Sequence, residues 1–443
     1  MHKCRNVLLG AIILGLMPAA AIAQDEERSS LEDRIALLEA AIAELKSELA
    51  KEREDIVRVE QKADEVVTAI EVVTAANTPT NNGFRVGETR LGIGGIIDLD
   101  ANVTDVAEGS IASGSIARDF YIPGATPIGG AEGQNVTDIT AQASRIYFTA
   151  DREVGKHNVS GRIELDFLGS LQGDERVVNS FSPRIRLAYV DVDGLRFGQD
   201  WTTFQNTAAI PESASFLVLS DGMVFIRQPL IRYTWGPWQF AIENGDTTVT
   251  SLPGARVEAD SQRLPDAVVR YNMKGDYGDI SFSALARELR GDVAGMVDDS
   301  KFGWALSASG RINLFEQDDI RFNIVGGEGV GRYVGLNATN AAFVSPTGEL
   351  EPITTVGGLV AYRHVFGNST WRTNFGWSGL FADNPDFSAP TVTKMIQSGF
   401  ASLLFDIAPR VTVGGEALYG IREQDDGQTG DLFRFTFSTK YAF

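Results

Sequence analysis

Hydrophobic and polar residues alternate along the last stretch of the chain, from Leu432 to Phe443. Because successive side chains of an extended strand point to opposite faces, one face carries four phenylalanines and Tyr441, and the other carries Arg434 and Lys440. In a soluble β-sandwich such a strand turns its apolar face toward the core. In a membrane barrel the apolar face contacts lipid, and the polar face lines a water-filled lumen. One strand alone leaves both alternatives open.

The same alternation predicts sixteen strands between Glu88 and the end of the chain. They cover 88–103, 138–150, 157–169, 181–192, 195–203, 223–235, 238–247, 266–274, 278–289, 300–314, 319–330, 354–366, 370–381, 395–407, 410–424 and 430–443. Every second connection is short, such as Asp193-Gly194, whereas most of the others are long, such as 104–137 and 331–353. Tight turns on one rim and long loops on the other are typical of outer-membrane barrels, and a sandwich has no reason to sort its connections this way.

The residues ahead of the strands predict three further segments. Residues 1–23 combine a basic start, an apolar stretch and the Ala21-Ile22-Ala23 ending of a signal peptide. Residues 24–76 repeat apolar positions at spacings of three and four, which predicts a periplasmic coiled coil, although a single amphipathic helix resting on its own domain gives the same stripe. Residues 77–87 predict a linker. The predicted fold class is therefore all-β, a 16-stranded antiparallel transmembrane β-barrel over 88–443, with an N-terminal α-helical coiled coil.

Composition narrows the possible functions. The chain has 443 residues, a formal net charge of −20 and one cysteine, Cys4, which lies inside the predicted signal peptide. A mature chain without cysteine has no disulfide framework and no thiolate metal site, and a strongly acidic exported chain is a poor nucleic-acid binder. His157 and His364 lie on different predicted strands, so neither a metal cluster nor a catalytic triad is indicated. We predict no cofactor, no metal, no catalytic residue and no enzyme activity.

Arginines are frequent on the predicted lumen face of strands two to six and eight. This inward set is Arg145, Arg162, Arg184, Arg186, Arg196, Arg232 and Arg270. Neighbouring strands lie about 4.8 Å apart, so the side chains can form a basic wall, and rings of Arg or Lys are the usual device of anion pores. The alternative is that inward carboxylates pair with each arginine and leave little net field; the carboxylates in question are Asp98, Asp100, Glu164, Asp166 and Glu243.

The long connection 204–222 is less polar than an exposed loop should be. Folded into the barrel it would narrow the pore, and folded outward it would cap the rim; long functional loops do both. In the inward arrangement Glu212 and Asp221 would place acidic groups opposite the basic wall.

Several motifs together resemble the DcaP-like outer-membrane channels. They are F-R-V-G-E-T-R-L-G-I-G-G-I-I-D-L-D at 84–100, R-D-F-Y-I-P at 118–123, R-I-E-L-D-F at 162–167, G-D-E-R-V-V-N-S-F-S-P-R-I-R-L-A-Y-V at 173–190, F-G-Q-D-W-T-T-F at 197–204 and F-I-R-Q-P-L-I-R-Y-T at 225–234. Ending the chain on Phe443 also resembles the terminal signature of outer-membrane barrels. The resemblance implies a trimeric porin with a periplasmic coiled coil that passes small anionic solutes, dicarboxylates among them. It also supports Arg162, Arg184, Arg186 and Arg232 as pore-wall positions.

These observations predict a passive diffusion channel in the outer membrane of a Gram-negative bacterium. We expect outer-membrane lipids, small anionic solutes and two further copies of the chain as partners, and no nucleic acid. Because isoleucine at position a and leucine at position d of the heptads favour dimers, the trimer is implied by the resemblance alone. The alternative from another class is a structural or adhesive barrel, tethered by its coiled coil, whose pore is plugged.

Overall fold

The computed structural model describes residues 83–130, 132–169, 180–259, 262–315, 317–367 and 370–443. The predicted signal peptide, the predicted coiled coil and most of the predicted linker lie outside these described residues. At the end of the predicted linker, Phe84–Val86 forms a short strand that pairs with the start of the next strand. No helix within the described ranges is long and apolar enough to cross a membrane.

Almost all regular structure in the described part of the chain is β-strand. The strands are β1 Phe84–Val86, β2 Thr89–Glu108, β3 Glu132–Thr140, β4 Arg145–Val154, β5 His157–Asp166, β6 Arg184–Val192, β7 Leu195–Trp201, β8 Arg227–Trp235, β9 Trp238–Glu243, β10 Thr248–Thr250, β11 Arg256–Glu258, β12 Asp266–Gly275, β13 Gly278–Val293, β14 Val297–Leu314, β15 Asp318–Glu328, β16 Ala342–Val344, β17 Leu350–Pro352, β18 Thr354–Phe366, β19 Trp371–Asp383, β20 Thr393–Ala408, β21 Val411–Gln424 and β22 Thr429–Ala442. Short 3₁₀ turns occur at Ile116–Arg118, Pro123–Ala125, Thr207–Ala209, Gly331–Tyr333 and Gly335–Asn337.

The long strands close into a barrel. Each pairs antiparallel with its neighbours, and β22 returns to β2, with Gly95 and Phe443 exchanging backbone hydrogen bonds of 3.2 and 3.1 Å at the end of the seam. β3 and β4 both pair with β2 and together occupy one position of the wall, which gives sixteen positions. The predicted 16-stranded antiparallel barrel is confirmed. Closure matters because an open edge would leave unpaired backbone groups in lipid.

The predicted strand 138–150 is the one that the structure divides. Residues 141–144 separate β3 from β4. At this break the Ser144 hydroxyl replaces a backbone partner of Asp98 on β2. It accepts from the Asp98 amide at 3.0 Å and donates to the Asp98 carbonyl at 3.2 Å. The wall therefore keeps its hydrogen bonds across the break. Alternation alone does not reveal such a break, because a hydroxyl can replace a backbone partner locally.

The outer face of the barrel is apolar and its inner face is polar. On β22, Phe435 is 44% exposed, whereas the neighbouring Arg434 is 2% exposed inside the barrel. Aromatic side chains such as Trp235, Trp238 and Trp371 lie outside, next to the short turns, where an interfacial girdle is expected. The short turns themselves follow hairpin chemistry: Asp193 and Gly194 have φ angles of 51° and 86°, which suits a type I′ turn.

The long connections gather at the opposite rim. Four short strands from two of them form a separate small sheet in the order β11, β10, β16, β17. Buried residues of this sheet, including Val249, Ala342 and Leu350, pack against Leu289 of β13 and Val297 of β14. This rim is therefore packed onto the ends of the wall.

Candidate functional site

The connection between β7 and β8, residues 202–226, folds into the barrel, and we call it the constriction loop. Its beginning is fixed by Glu243 at the end of β9, whose carboxylate accepts from the Thr203 amide at 2.7 Å. Its end is fixed on the far side of the lumen, where the Ser378 hydroxyl of β19 accepts from the Gly222 amide at 2.8 Å. The segment 204–222, for which the sequence left two positions open, therefore crosses the lumen and does not cap the rim.

Apolar packing holds the middle of the constriction loop against the wall. Leu217, Val218 and Leu219 are buried in one cluster with wall residues that include Leu359 of β18 and Phe400 of β20. Such burial stabilises a docked loop by about 1.5–3 kcal/mol for each large side chain. The low polarity that sets this loop apart in the sequence thus has a physical reason, because the loop has an apolar contact surface of its own.

Five arginines lie on the part of the wall formed by β4, β5, β6 and β8, and two of them contact Phe216 of the constriction loop. We call these five the arginine cluster; they are Arg145, Arg162, Arg184, Arg186 and Arg227. Two buried carboxylates of β5 hold three of them. Glu164 accepts from Arg162 at 2.6 Å and from Arg186 at 2.8 Å, and Asp166 accepts from Arg184 and Arg186, both at 2.8 Å. Shared carboxylates orient several guanidinium groups at once while leaving an excess of positive charge.

Arg145 and Arg227 have no carboxylate within ion-pair distance among the residues that the structure describes. They rest on aromatic rings instead. The Arg145 guanidinium carbon lies 5.2 Å from the ring centre of Phe216 on the constriction loop, and that of Arg227 lies 4.8 Å from the ring centre of Trp201. A cation over an aromatic face keeps its charge, so both arginines contribute to the electric field of the lumen.

Arg227 was not among the arginines that the sequence selects. By alternation along β8 it shares the parity of lipid-facing Ile231 and Tyr233. The structure places its guanidinium near Arg184 and Arg186, whose charges act on it. Strand parity does not apply to a residue at the junction of a loop and a strand. The sequence feature that could have indicated an inward Arg227 is the aromatic Phe225 two residues before it.

The other three predicted arginines are more fully engaged. Asp200 accepts from both Arg196 and Arg232 at 2.6 Å, which balances much of their charge. Arg270 donates to the carbonyl of Gln205 and so holds the constriction loop. Pairing with a carboxylate therefore describes Arg196 and Arg232, whereas Arg270 and Arg145 form no ion pair in the described residues.

The wall next to Arg145 carries buried carboxylates, because β2 pairs with β4 there and the charge of Asp98 acts on Arg145. Asp98 and Asp100 of β2 are 5% and 1% exposed, and Lys440 of β22 lies 3.9 Å from Asp98. The Lys440 ammonium also donates to the carbonyls of Ser213 and Ser215 in the constriction loop, at 3.2 and 3.0 Å. Lys440 therefore fixes the loop to the wall, and Asp98 is the carboxylate beside it.

The two acidic candidates of the constriction loop differ in their surroundings. Glu212 accepts from Arg372 at 2.9 Å and lies 3.8 Å from Arg363, so it is held by wall arginines. Asp221 is fully buried and accepts from the Tyr121 hydroxyl at 2.9 Å and from the Ser398 hydroxyl. Burial raises the pKa of Asp221 to about 7. The expectation that both place acidity across the pore stays a prediction, and the position of Asp221 favours an anchoring role.

The two histidines lie near the short-turn rim on separate parts of the wall. His157 Nδ1 is 2.6 Å from Asp193, and His364 Nδ1 is 2.9 Å from Asp318. In the described ranges no three His, Cys, Asp or Glu residues are grouped so that they could hold a metal ion. Each histidine therefore makes a hydrogen-bond contact with an aspartate at a turn.

A closed sixteen-stranded barrel with an apolar outer face, a polar lumen and an inward-folded loop defines an outer-membrane channel of the porin type. The family model described as DcaP outer membrane protein matches residues 15–443, and the chain belongs to this family. The family resemblance noted in the sequence is thereby confirmed, and the family and its structural neighbours are channels, not enzymes.

Solved structures agree with the fold. The crystal structure of the outer membrane channel DcaP of Acinetobacter baumannii matches with a TM-score of 0.68 at 20% sequence identity, covering 82% of this chain and 100% of that one. An anion-selective porin from Comamonas acidovorans matches with a TM-score of 0.51 at 12% identity, covering 80% and 100%. No curated protein matches the chain. At these identities the likeness shows the barrel architecture alone.

Proposed function

We propose that this protein is a passive outer-membrane channel that prefers small anions. The observation that carries the proposal is that Arg145 and Arg227, beside the constriction loop, rest on aromatic rings and form no ion pair with a carboxylate in the described residues. Within the arginine cluster, five arginines face the two carboxylates of Glu164 and Asp166, an excess of three positive charges (5 − 2). A low-dielectric wall focuses such a field on the pore and lowers the cost for an anion to shed water there.

Small dicarboxylates are the solutes that this arrangement suits best. A guanidinium group binds a carboxylate in a planar, two-point manner, and the arginine cluster offers several such groups along one wall. The Comamonas porin of the same barrel architecture is anion-selective, which supports the same preference for this chain. Diffusion through the channel needs no cofactor, and the gradient of the solute supplies the driving force.

Reversal potentials in a salt gradient across planar bilayers test the anion preference. We expect the wild-type channel to favour the anion and Arg145→Gln combined with Arg227→Gln to reduce the anion-to-cation permeability ratio. The interaction of two unit charges about 4 Å apart is about 1 kcal/mol in water, which is about fivefold for each arginine removed. Arg152→Gln is the matched control, because this exposed arginine at the short-turn rim pairs with Glu88 at 2.5 Å, away from the arginine cluster.

Cation preference of the wild-type channel would refute the proposal. An equal ratio in the double variant and the wild type would refute the role assigned to the two arginines. A purified barrel that conducts no ions at all would favour the plugged, structural alternative.

We also propose that the channel is a homotrimer, anchored by a periplasmic coiled coil at residues 24–76 after removal of residues 1–23. Support comes from the outer face of the barrel, where the belt of bulky apolar side chains is interrupted. Asn135 and Thr137 of β3, Ala188 of β6 and Gln199 of β7 lie on this outward parity, beside exposed Ile163. Small and polar groups facing outward suit contact with another protein surface better than contact with lipid.

Deletion of residues 29–76 tests this assembly. We expect each barrel to conduct while the trimer weakens, as measured by native electrophoresis and light scattering. Loss of barrel folding in the deletion variant would show instead that these residues belong to the barrel core.

A further inference from the structure

A second basic site lies at the long-loop mouth, apart from the arginine cluster. There a cavity of about 400 Å³ opens between the connections that follow β2, β9, β15 and β19, and Arg256 of β11 and Arg422 of β21 both line it. Pockets of 300–1,000 Å³ are the usual size of small-molecule sites. The cavity therefore has the dimensions of a solute site and two cationic groups in its wall.

Neutral groups hold both guanidiniums in place. Arg256 Nε donates to Asn340 Oδ1 at 2.8 Å, and its Nη2 donates to the carbonyl of Asn337. Arg422 Nε donates to Thr393 Oγ1 at 2.9 Å, and its Nη1 donates to the carbonyl of Thr126 at 3.2 Å. Neutral acceptors orient a guanidinium group without cancelling its charge, and each arginine has five N–H donors.

Neither arginine has a carboxylate within ion-pair distance in the part of the chain that the structure describes. Glu258 interacts with Arg256 electrostatically without forming an ion pair. Within the same described ranges, Arg256 Nη1 and Arg422 Nη2 have no hydrogen-bond partner. Two oriented cations with unused donors in one cavity are suited to a ligand that carries two negative charges.

The cavity wall also contains strained backbone. Gly335, Leu336 and Asn337 have φ angles of 65°, 51° and 59°, the left-handed region that a leucine rarely adopts. This conformation presents the Asn337 carbonyl to Arg256, and the Asn337 side chain accepts from the Thr248 hydroxyl at 3.2 Å. Strained residues of this kind concentrate at binding sites, where the surrounding structure holds them in place.

Hydroxyl groups supply the remaining specificity. Thr339 and Thr391 line the cavity, and in the described residues their hydroxyls have no hydrogen-bond partner. The Asn384 amide nitrogen donates to the carbonyl of Thr393 at 3.1 Å and to Asp425 at 3.0 Å, which leaves its oxygen as an acceptor toward the cavity. A ligand with hydroxyl groups between its charges can satisfy these groups, whereas a plain alkyl chain would leave them unpaired.

We infer that this cavity binds small hydroxylated dicarboxylates at the outer mouth of the channel, before they reach the constriction loop. Arg256 and Arg422 each receive one carboxylate, and Thr339, Thr391 and Asn384 receive the hydroxyls between them. The inference rests on the proposed function in that an outer capture site serves a channel that passes anions. Beyond the proposed function, it assigns a separate site that prefers hydroxylated dicarboxylates to plain ones.

Calorimetry on the detergent-solubilised full chain tests the inference with three probes. Tartrate has two carboxylates and two hydroxyls, succinate has the same carbon chain without hydroxyls, and threitol has the hydroxyls without the charges. We expect tartrate to bind at least tenfold more tightly than succinate, and threitol not to bind. Arg256→Gln and Arg422→Gln should each weaken tartrate by about tenfold or more, and Arg256→Lys by less, because it keeps the charge and loses the planar donor pair.

Arg311→Gln is the matched control, because this arginine lines a different cavity beside the short turns. Tartrate binding that equals succinate binding, or that survives both substitutions, would overturn the inference. Reversal potentials of the same variants separate the two proposals. Arginine-dependent tartrate binding in a channel without anion preference would leave the capture site standing and refute the proposed selectivity.

Discussion

Gly222 is the residue whose replacement gives the sharpest test of the constriction loop. The loop backbone here lies directly on the barrel wall: a Cβ atom added at Gly222 would lie 2.2 Å from the Gly358 amide nitrogen and 2.4 Å from the Gly379 carbonyl oxygen. Ordinary van der Waals contacts begin near 3.4 Å. All of these neighbours are backbone atoms of β18 and β19, which cannot turn aside as a flexible side chain would. Gly222→Ala must therefore lift the loop from the wall.

The size of the effect follows from the contacts that would be lost. Gly222 donates to the Ser378 hydroxyl and accepts from the Asn323 amide group, both at 2.8 Å, and Leu219 is fully buried nearby. Two hydrogen bonds at about 1 kcal/mol each and undocking of a buried leucine at about 2–5 kcal/mol give roughly 4–7 kcal/mol. Since 1.4 kcal/mol is tenfold, the docked-to-undocked ratio falls by about 10³ or more.

Single-channel recording in planar bilayers measures the outcome. We expect Gly222→Ala to give a larger conductance with more open-channel noise, and circular dichroism to show an intact barrel, because the strand pairings do not involve the loop. Gly399→Ala on β20 is the matched control, since a Cβ there would lie 3.6 Å from the Gly376 carbonyl oxygen, an ordinary contact. Conductance and noise unchanged from wild type in Gly222→Ala would refute the account of loop docking.

Three further perturbations address the charges of the lumen. Asp166→Asn removes the carboxylate that Arg184 and Arg186 share. The anion-to-cation permeability ratio should therefore rise by about fivefold, which corresponds to about 1 kcal/mol of charge interaction. A lower permeability ratio in the reversal-potential assay would contradict this account of the net charge. The pKa of Asp221 is raised by burial from 3.8 to about 7, so docking of the constriction loop should lose stability as the pH rises through this range, with more open-channel noise at pH 8 than at pH 5. Asp221→Asn should reduce that difference, and an unchanged pH dependence of the noise in the variant would assign it to other groups. Glu416→Ala removes the acceptor of two loop groups and should increase noise at all pH values. A quiet channel would show that the other contacts hold the loop without Glu416.

The barrel can be predicted from the sequence because each strand is indicated by residues that are close together in the chain. Alternation over ten to fifteen residues gives each strand, and the sorted loop lengths give the two rims. The aromatic face of β22, with Phe433, Phe435 and Phe437 outside and Arg434 inside, follows directly from strand parity. Where the chain leaves strand geometry, parity stops being informative, and the position of Arg227 is the clearest case.

The docking of the constriction loop could not be predicted in the same way. It depends on Gly222 meeting glycines of β18 and β19 that lie more than a hundred residues away in the chain. A glycine in a loop ordinarily indicates a turn, and nothing adjacent to Gly222 shows that a wall strand approaches it. The outer cavity could not be predicted either, because Arg256 and Arg422 are brought together by parts of the chain that are distant in sequence.

The strongly acidic chain is compatible with the proposed anion preference once distance is considered. The net charge of −20 is a sum over the whole sequence, including segments outside the barrel wall. In physiological salt, charges separated by more than about 8 Å of solvent are largely screened, so an ion in the lumen responds mainly to the groups beside it. On the wall around Phe216 of the constriction loop, those groups include the five members of the arginine cluster with Glu164 and Asp166. Other charged groups, such as Glu416 and Lys440, lie at different contacts of the loop. The proposed anion preference therefore depends on the groups beside the ion, and the net charge of the chain does not argue against it.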